Sequence, residues 1–125
     1  MAFIKFEDVG AKLTNSISLT KSQSFGFAGG FVRKYNISEF NFVSLLYDNG
    51  DGNNRVGFQF TKERMGKSSF KIIFGYNRQT ASIVVRSFFR SFEIDNKKYE
   101  GKYEPTEIND ENYGIIYFID LKEKK

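Results

Sequence analysis

The chain has 125 residues, enough for one domain with its own core but too few for two ordinary domains. It contains no cysteine and no histidine, which excludes disulfides, Cys/His zinc sites, Ser-His-Asp triads and imidazole acid–base catalysis. Lys and Arg number 19 against 15 Asp and Glu, and the resulting net charge of +4 does not by itself identify a partner.

Composition and hydropathy also bound the environment of the protein. Fifteen Phe and seven Tyr, with a single Pro, indicate an ordered, β-rich core. The first apolar stretch carries Lys5, Glu7 and Asp8, which is not typical of a targeting peptide, and no window approaches the ~18 apolar residues of a membrane span. We therefore expect a soluble cytoplasmic protein with no membrane partner and no cofactor.

Alternating apolar residues predict four strands in the first half of the chain. They lie at residues 17–19, 25–27, 42–47 and 56–60. The last two are separated by Asp-Asn-Gly-Asp-Gly-Asn-Asn-Arg, whose Asn-Gly and Asp-Gly pairs favour a hairpin turn. A calcium loop is disfavoured, because Gly50 stands at the third position from Asp48, where an EF-hand needs an oxygen ligand.

The second half predicts strands at residues 69–76, 81–85 and 113–121. The last of these is apolar on both faces, which is typical of a central strand. The stretch 96–112 is highly charged and carries the only proline, Pro105, so we expect an exposed excursion from the fold.

Two short helical segments, 30–37 and 87–94, superpose without a gap at an offset of 57 residues. Phe31 pairs with Phe88, Arg33 with Arg90 and Ile37 with Ile94. Two strands precede each segment and further strands follow it, so a tandem duplication is favoured over a chance match of two amphipathic turns.

The fold class predicted from this repeat is mainly β with two short helices. Residues 14–62 and 68–121 would each form a β-β-α-β-β unit within one compact domain, 1–125. Packed about a pseudo-twofold axis, the two units would make a β-barrel-like scaffold in which Arg33 and Arg90 are symmetry mates. The sequence leaves open whether the units pair within one chain or between two chains of a homodimer.

Positive charge is concentrated in the middle of the chain. Residues 63–94 hold six basic and two acidic side chains, no carboxylate occurs between Arg64 and Phe92, and residues 95–125 are net acidic. If the basic residues share a face, they form a patch suited to phosphates; the alternative is that they are separate, solvated positions on a sheet. The candidate nucleic-acid contacts are Arg33, Lys34, Lys71, Arg78, Arg86 and Arg90, and the stacking candidate is Tyr76, which lies beside the Asn77-Arg78 turn.

A family resemblance rests on the order of motifs in residues 16–60. An apolar strand leads into a short basic helix that terminates at residues 35–37. An alternating strand then ends at Asp48, and a return strand follows it. The residues that carry it are Phe25, Phe27, Phe31, Arg33, Tyr35, Asn36, Ile37, Val43, Leu45, Tyr47, Asp48, Val56, Phe58 and Phe60. This order resembles the AbrB/MazE/SpoVT group of swapped-hairpin proteins, with Ala28 where the group has proline, and it implies an interlocked β-β-α-β-β fold that binds DNA.

A second interpretation counts strands 42–47, 56–60, 69–76 and 81–85 before the helix at 87–94. This β-β-β-β-α order is similar to that of the Whirly-type and coactivator-type single-stranded DNA binders. Lys71, Phe74, Tyr76 and Arg78 would then alternate stacking rings with backbone-contacting cations, although core packing is the more ordinary role of such aromatics.

The leading functional hypothesis is therefore a non-enzymatic nucleic-acid-binding protein, with DNA favoured over RNA. An enzyme is the least supported class, because the carboxylate groups at Asp48 and Asp51 and at residues 107–111 fall in turns where acidic residues are ordinary. The alternative is a protein-interaction module, antitoxin-like or an accessory protein of a mobile element, acting through the acidic stretch 99–111 or an exposed strand edge.

Overall fold

The computed structural model describes residues 15–66 and 69–123, and in these residues the fold consists of ten β-strands and three short α-helices. The strands are β1 (Ile17–Leu19), β2 (Ser24–Phe27), β3 (Phe42–Asp48), β4 (Arg55–Thr61), β5 (Ser69–Lys71), β6 (Ile73–Phe74), β7 (Ala81–Val84), β8 (Gly101–Tyr103), β9 (Thr106–Asp110) and β10 (Gly114–Asp120). The helices are α1 (Gly29–Lys34), α2 (Arg86–Ser91) and α3 (Asn96–Tyr99), and single 3₁₀ turns occur at Ile37–Glu39, Gly50–Gly52 and Tyr76–Arg78.

The strands form two antiparallel sheets of five strands each. The first sheet has the order β6-β7-β2-β1-β8 and the second the order β5-β3-β4-β10-β9. At one edge the chain passes between the sheets at Ile72, so the expected strand 69–76 is two short strands; at the other edge it passes at Glu104-Pro105. The prediction of a mainly β fold is confirmed, but its barrel-like closure is wrong, because no strand pair among the described residues joins one sheet to the other.

The charged stretch at 96–112 is part of the fold, contrary to the expected excursion. It contains α3, which Asp95 caps by accepting from the N–H groups of Lys97 and Lys98, together with strands β8 and β9. Tyr103 in β8 is only 1% exposed. Tyr99 packs partly buried against the same core, whereas no residue of β9 is buried. With so few buried side chains, the charged stretch lacks the apolar periodicity that would have predicted the two strands and the third helix.

Aromatic rings join the two sheets. The ring of Phe58 in β4 meets those of Phe25 and Phe27 in β2 edge to face, with centroids 5.0 and 5.4 Å apart. Edge-to-face contact places the positive ring edge against the negative face and stabilises such pairs beyond their burial. These three rings, all nearly inaccessible to solvent, form the centre of one core shared by both sheets.

The helices α1 and α2 cover opposite ends of this core. Phe31 of α1 packs on Phe60, which pairs with Val43, whereas Phe88 of α2 packs on Tyr47. Val43 and Tyr47 are four residues apart on β3, about 13 Å along the strand. The two helices therefore present their exposed faces at separate places on the surface. None of the helices in the described parts of the chain has the length and apolarity that a membrane span requires.

Two buried tyrosines contribute polar groups to the core. Burial, with a contribution from Tyr99, raises the pKa of Tyr103 to about 12, and its hydroxyl donates a hydrogen bond to the carbonyl oxygen of Tyr99. Burial also raises the pKa of Tyr117 to about 12, with Glu107 and Tyr35 adding to the shift. Both hydroxyls are therefore neutral throughout the physiological pH range.

Gly57 is a close-packing position in the second sheet, and it gives a direct test of the strand register. A Cβ there would lie 3.1 Å from Cγ2 of Ile116 and 3.4 Å from Cβ of Leu46. Gly57→Ala should lower the free energy of unfolding by about 1–3 kcal/mol, measured by urea denaturation, because both neighbours must move. The control is Gly26→Ala in β2, where a Cβ would have no described atom within 4 Å beyond its chain neighbours; equal effects of the two substitutions would contradict this register.

Candidate nucleic-acid interface

A polar cleft lies between α1 and the turn that joins β6 to β7. The backbone of α1 starts close to this turn: a Cβ on Gly29 would be 3.4 Å from the carbonyl oxygen of Gln79. The cleft has a volume of about 290 Å³ and is lined by Gly29, Val32, Arg33, Asn36, Ser38, Asn77, Arg78 and Gln79. Among the residues that the structure describes, this lining includes two arginines and no carboxylate.

Left-handed backbone conformations shape both walls of the cleft. Asn36, two residues after the end of α1, has φ 55°, and Asn77 and Arg78 in the opposite turn have φ 52° and 56°. Asparagine tolerates this region better than most residues, whereas arginine is uncommon there. The position of Arg78 must therefore be held by contacts of its side chain.

Those contacts involve most of the Arg78 guanidinium. Nε donates to the carbonyl oxygen of Ser38 over 2.9 Å, and Nη2 donates to the carbonyl oxygen of Phe40 and to Oδ1 of Asn41 over 3.1 and 3.2 Å. The guanidinium also lies 3.7 Å from the ring centroid of Phe74. All three acceptors are neutral, so the positive charge of Arg78 is fixed in place without being neutralised.

The two cations of α1, Arg33 and Lys34, are less constrained than Arg78. Phe31 and Val32 point into the core, which leaves Arg33 and Lys34 exposed on the last turn. The side chain of Arg33 makes no hydrogen bond or ion pair with another described residue, and Nζ of Lys34 lies 5.3 Å from the ring centroid of Tyr35. Arg33 and Arg78 are 45 positions apart in the sequence, and the fold brings both into the lining of the cleft.

Lys71 lies on the neighbouring edge of the second sheet. In β5 it pairs with Phe42 of the adjacent strand β3, and the guanidinium of Arg64 lies 5.0 Å from the ring centroid of Phe42. Asn41, the residue before Phe42, accepts from Arg78, so contacts connect this edge with the cleft. We call the residues Arg33, Lys34, Arg64, Lys71, Tyr76 and Arg78 the cleft surface. Arg64 belongs to the six basic residues of the stretch 63–94 but not to the candidate contacts predicted from the sequence.

Tyr76 is 84% exposed, as expected from its position beside the turn. Stacking of a base on its ring stays a prediction. Phe74 is only partly exposed, and the guanidinium of Arg78 lies over its ring. The four strands of the Whirly-like order are divided between the two sheets, so Lys71 and Tyr76 flank the point where the chain changes sheet.

Arg86 and Arg90 are not part of the cleft surface. Both are exposed on α2, which packs through Phe88 and Phe92 on Tyr47 at the other end of the core. The six predicted contacts therefore form two groups on different parts of the surface. Arg90 occupies on α2 the position that Arg33 occupies on α1, the fifth of six helical residues.

A second, more apolar pocket of about 270 Å³ lies on the outer face of the second sheet. Its floor is formed by Leu46, Gly57, Ile116 and Phe118. The guanidinium of Arg55 lies 5.1 Å from the ring centroid of Phe118, and its buried Nε has no hydrogen-bond partner in residues 15–66 and 69–123. In the sequence, the only sign of this pocket is that the last strand is apolar on both faces. That pattern predicts a central strand and not an apolar outer face of the second sheet.

The carboxylates that could have suggested metal chemistry are used in turns. Asp48 accepts from the N–H of Gly50 and from Nδ2 of Asn53, within the hairpin that the sequence predicted. In residues 15–66 and 69–123, no three His, Cys, Asp or Glu side chains are grouped so that they could hold a metal ion.

No protein-family model, curated protein or solved structure matches the chain. The resemblance to the AbrB/MazE/SpoVT group therefore stays a prediction. The function has to be argued from the chemistry of the two surfaces.

The anchoring of Arg78 predicts a difference in stability between the two arginines of the cleft. Arg78→Ala should lower the free energy of unfolding by about 1–2 kcal/mol, because three hydrogen bonds and the contact with Phe74 are lost. Arg33→Ala should change it by less than about 0.5 kcal/mol, as is usual for an exposed side chain without partners. Urea denaturation of both variants tests this, and equal stabilities would show that Arg78 is not anchored as described.

Proposed function

We propose that the chain is a non-enzymatic, cytoplasmic nucleic-acid-binding protein that acts through the cleft surface. The observation that carries the proposal is the cleft itself, where Arg33 and Arg78 line one polar recess to which no described residue contributes a carboxylate. Guanidinium groups bind phosphate oxygens through charge-assisted hydrogen bonds, and each neutralised phosphate releases bound counterions. The preference for DNA over RNA follows from the resemblance to the swapped-hairpin group.

The rest of the cleft surface favours a binding mode in which a nucleic-acid strand passes over the recess. Lys71 and Arg64 extend the positive charge beyond the cleft along the edge of the second sheet. The exposed ring of Tyr76 lies between Lys71 and Arg78 in the sequence and belongs to the same turn as Arg78, where a base could stack on it. Such contacts position the nucleic acid and read little of its base sequence.

We further infer that the scaffold is a tandem duplication of a β-β-α-β-β unit. In the first sheet the hairpin β1–β2 lies beside β6–β7 through the antiparallel pair β2 and β7. In the second sheet β3–β4 lies beside β9–β10 through the antiparallel pair β4 and β10. An antiparallel pair at the centre of each sheet is the arrangement that a pseudo-twofold axis between two copies requires.

The ends of α1 and α2 also support the duplication. The N–H groups of Tyr35 and Phe92 donate to the carbonyl oxygens of Phe31 and Phe88, four residues earlier. The next residues, Asn36 and Glu93, both have left-handed φ, at 55° and 53°. A matching helix end at an offset of 57 residues favours common ancestry of the two units over chance.

The duplication bears on the homodimer that the sequence left open. Both units pair within the described chain, so a second chain is not needed to complete either sheet. Arg33 and Arg90, at matching positions on the two helices, would then contact separate phosphates on opposite sides of the scaffold. We propose that the binding unit is one chain.

The alternative function is a protein-interaction module, antitoxin-like or an accessory protein of a mobile element. The observation in its favour is the outer face of the second sheet, where Ile108 and Tyr113 are exposed beside the apolar pocket. Apolar pockets with few polar groups are typical of binding sites. β9, an edge strand of the same sheet, could also pair with an added strand.

Binding of fluorescently labelled single-stranded and duplex DNA, measured by polarisation over a range of KCl concentrations, tests the leading proposal. We expect affinity to fall with log salt by about 0.7 per phosphate contact on a single strand and about 0.9 on a duplex. The double variant Arg33→Ala/Lys34→Ala should reduce both the affinity and this slope.

The matched control is Lys97→Ala/Lys98→Ala, which removes the same charge from exposed positions on α3. It should bind nearly as the parent protein does. Absence of binding at micromolar protein and low salt would refute the nucleic-acid proposal, and equal losses in both double variants would refute its location at the cleft.

A further inference from the structure

The shape of the cleft distinguishes it from the rest of the cleft surface. All five of these side chains are exposed, but only Arg33 and Arg78 line the recess between α1 and the turn at 76–78, whereas Lys34, Lys71 and Tyr76 lie outside it. A recess suits the end of a chain, because an internal phosphodiester needs open space for the sugars on both sides. We propose that the cleft binds a phosphate monoester, the terminal phosphate of a nucleic-acid strand; this specifies the ligand of the function proposed above and rests on it.

Charge supports a monoester. Arg33 and Arg78 bring two positive charges, and neither is paired with a carboxylate of the described chain. A phosphate monoester carries about −1.5 to −2 charges at pH 7, whereas an internal diester carries about −1. Two guanidinium groups therefore neutralise a terminal phosphate and would leave excess positive charge around a diester.

The donors of the lining support the same ligand. Side-chain amides of Asn36, Asn77 and Gln79 and the hydroxyl of Ser38 line the cleft, and none has a side-chain hydrogen bond with another described residue. Nη1 of Arg78 is also unused, since its three hydrogen bonds come from Nε and Nη2. A monoester offers three free oxygens to such donors, and a diester offers two.

The anchoring of Arg78 makes part of this site ready before the ligand binds. Its guanidinium is held by Ser38, Phe40 and Asn41 and covers Phe74, so little side-chain entropy is lost when it contacts phosphate. Arg33 has no such partners and supplies the adjustable half of the clamp. Arg33 is therefore the residue to change in a test, because its removal leaves the architecture of the turn intact.

The test uses one short single-stranded DNA, labelled internally, in three forms: 5′-phosphorylated, 3′-phosphorylated and with hydroxyls at both ends. We expect at least one phosphorylated form to bind the full chain about tenfold more tightly than the hydroxyl form, the gain of a charge-assisted contact. Arg33→Ala should remove this preference, and Lys97→Ala should keep it. Inorganic phosphate should compete at the same site with lower affinity.

The pH dependence provides a second readout. The chain has no histidine, so no side chain of ordinary pKa titrates between pH 5.5 and 7.5, whereas the second ionisation of a phosphate monoester has a pKa of about 6. The preference for the phosphorylated strand should therefore shrink from pH 7.5 to pH 5.5, while binding of the hydroxyl form stays constant.

The outcomes separate this inference from the proposed function. Equal affinity for all three forms would overturn the terminal-phosphate site and leave general nucleic-acid binding in place. Binding of inorganic phosphate that depends on Arg33, with no binding of any strand, would uphold the phosphate site but overturn the nucleic-acid function. Absence of binding by strands and by phosphate would overturn both.

Discussion

The structure depends on the contact of Phe58 with Phe25 and Phe27, which holds the two sheets together. The same Phe27 ring stacks on Phe31 of α1, with centroids 5.6 Å apart, so the helix is attached to the ring layer that joins the sheets. Burial of Phe31 and Val32 turns Arg33 outward. The position of the cleft is thus a consequence of the aromatic core.

The positive charge at the cleft follows from the different contacts that the acidic and the basic side chains make. Aspartates accept backbone N–H groups in turns, where they satisfy donors that would otherwise lack partners. Those with such contacts are Asp48, Asp95, Asp110 and Asp120. Arginine at position 78 instead bonds neutral acceptors, and arginine at position 33 bonds none, so their charges remain available. A chain whose net charge is only +4 can therefore carry a localised positive site.

Much of the fold could be predicted from the sequence, because local alternation and turn residues determine it. The hairpin around residues 48–55 and the interior position of the last strand are confirmed by the pairing of β3 with β4 and of β10 with both β4 and β9. The sequence could not show that the strand at 69–76 divides at Ile72 between two sheets, since this depends on contacts with distant strands. The strands at 101–110 were missed because they contain a single buried side chain, Tyr103, and no residue of β9 is buried, so the apolar alternation that marks a strand is absent.

The candidate site was predictable only in part. Arg33 and Arg78 were each identified by charge, but their meeting depends on the approach of the β6–β7 turn to Gly29, a contact between residues about 50 positions apart. Arg86 and Arg90 were assigned to the same basic stretch, yet the ring contacts of α2 with Tyr47 place them at the other end of the core. Sequence spacing gives charge along the chain, and only the register of the sheets decides which charges are neighbours.

The most direct test of the central claim is a titration of the ¹⁵N-labelled chain with a short 5′-phosphorylated DNA strand, followed by NMR. Binding at the cleft should change the chemical shifts of residues 29–38 and 76–79 and of the Nε–H of Arg78, and these changes should saturate as the strand binds. Changes confined to Leu46, Gly57 and Phe118 on the outer face of the second sheet, or no changes at the cleft, would contradict it.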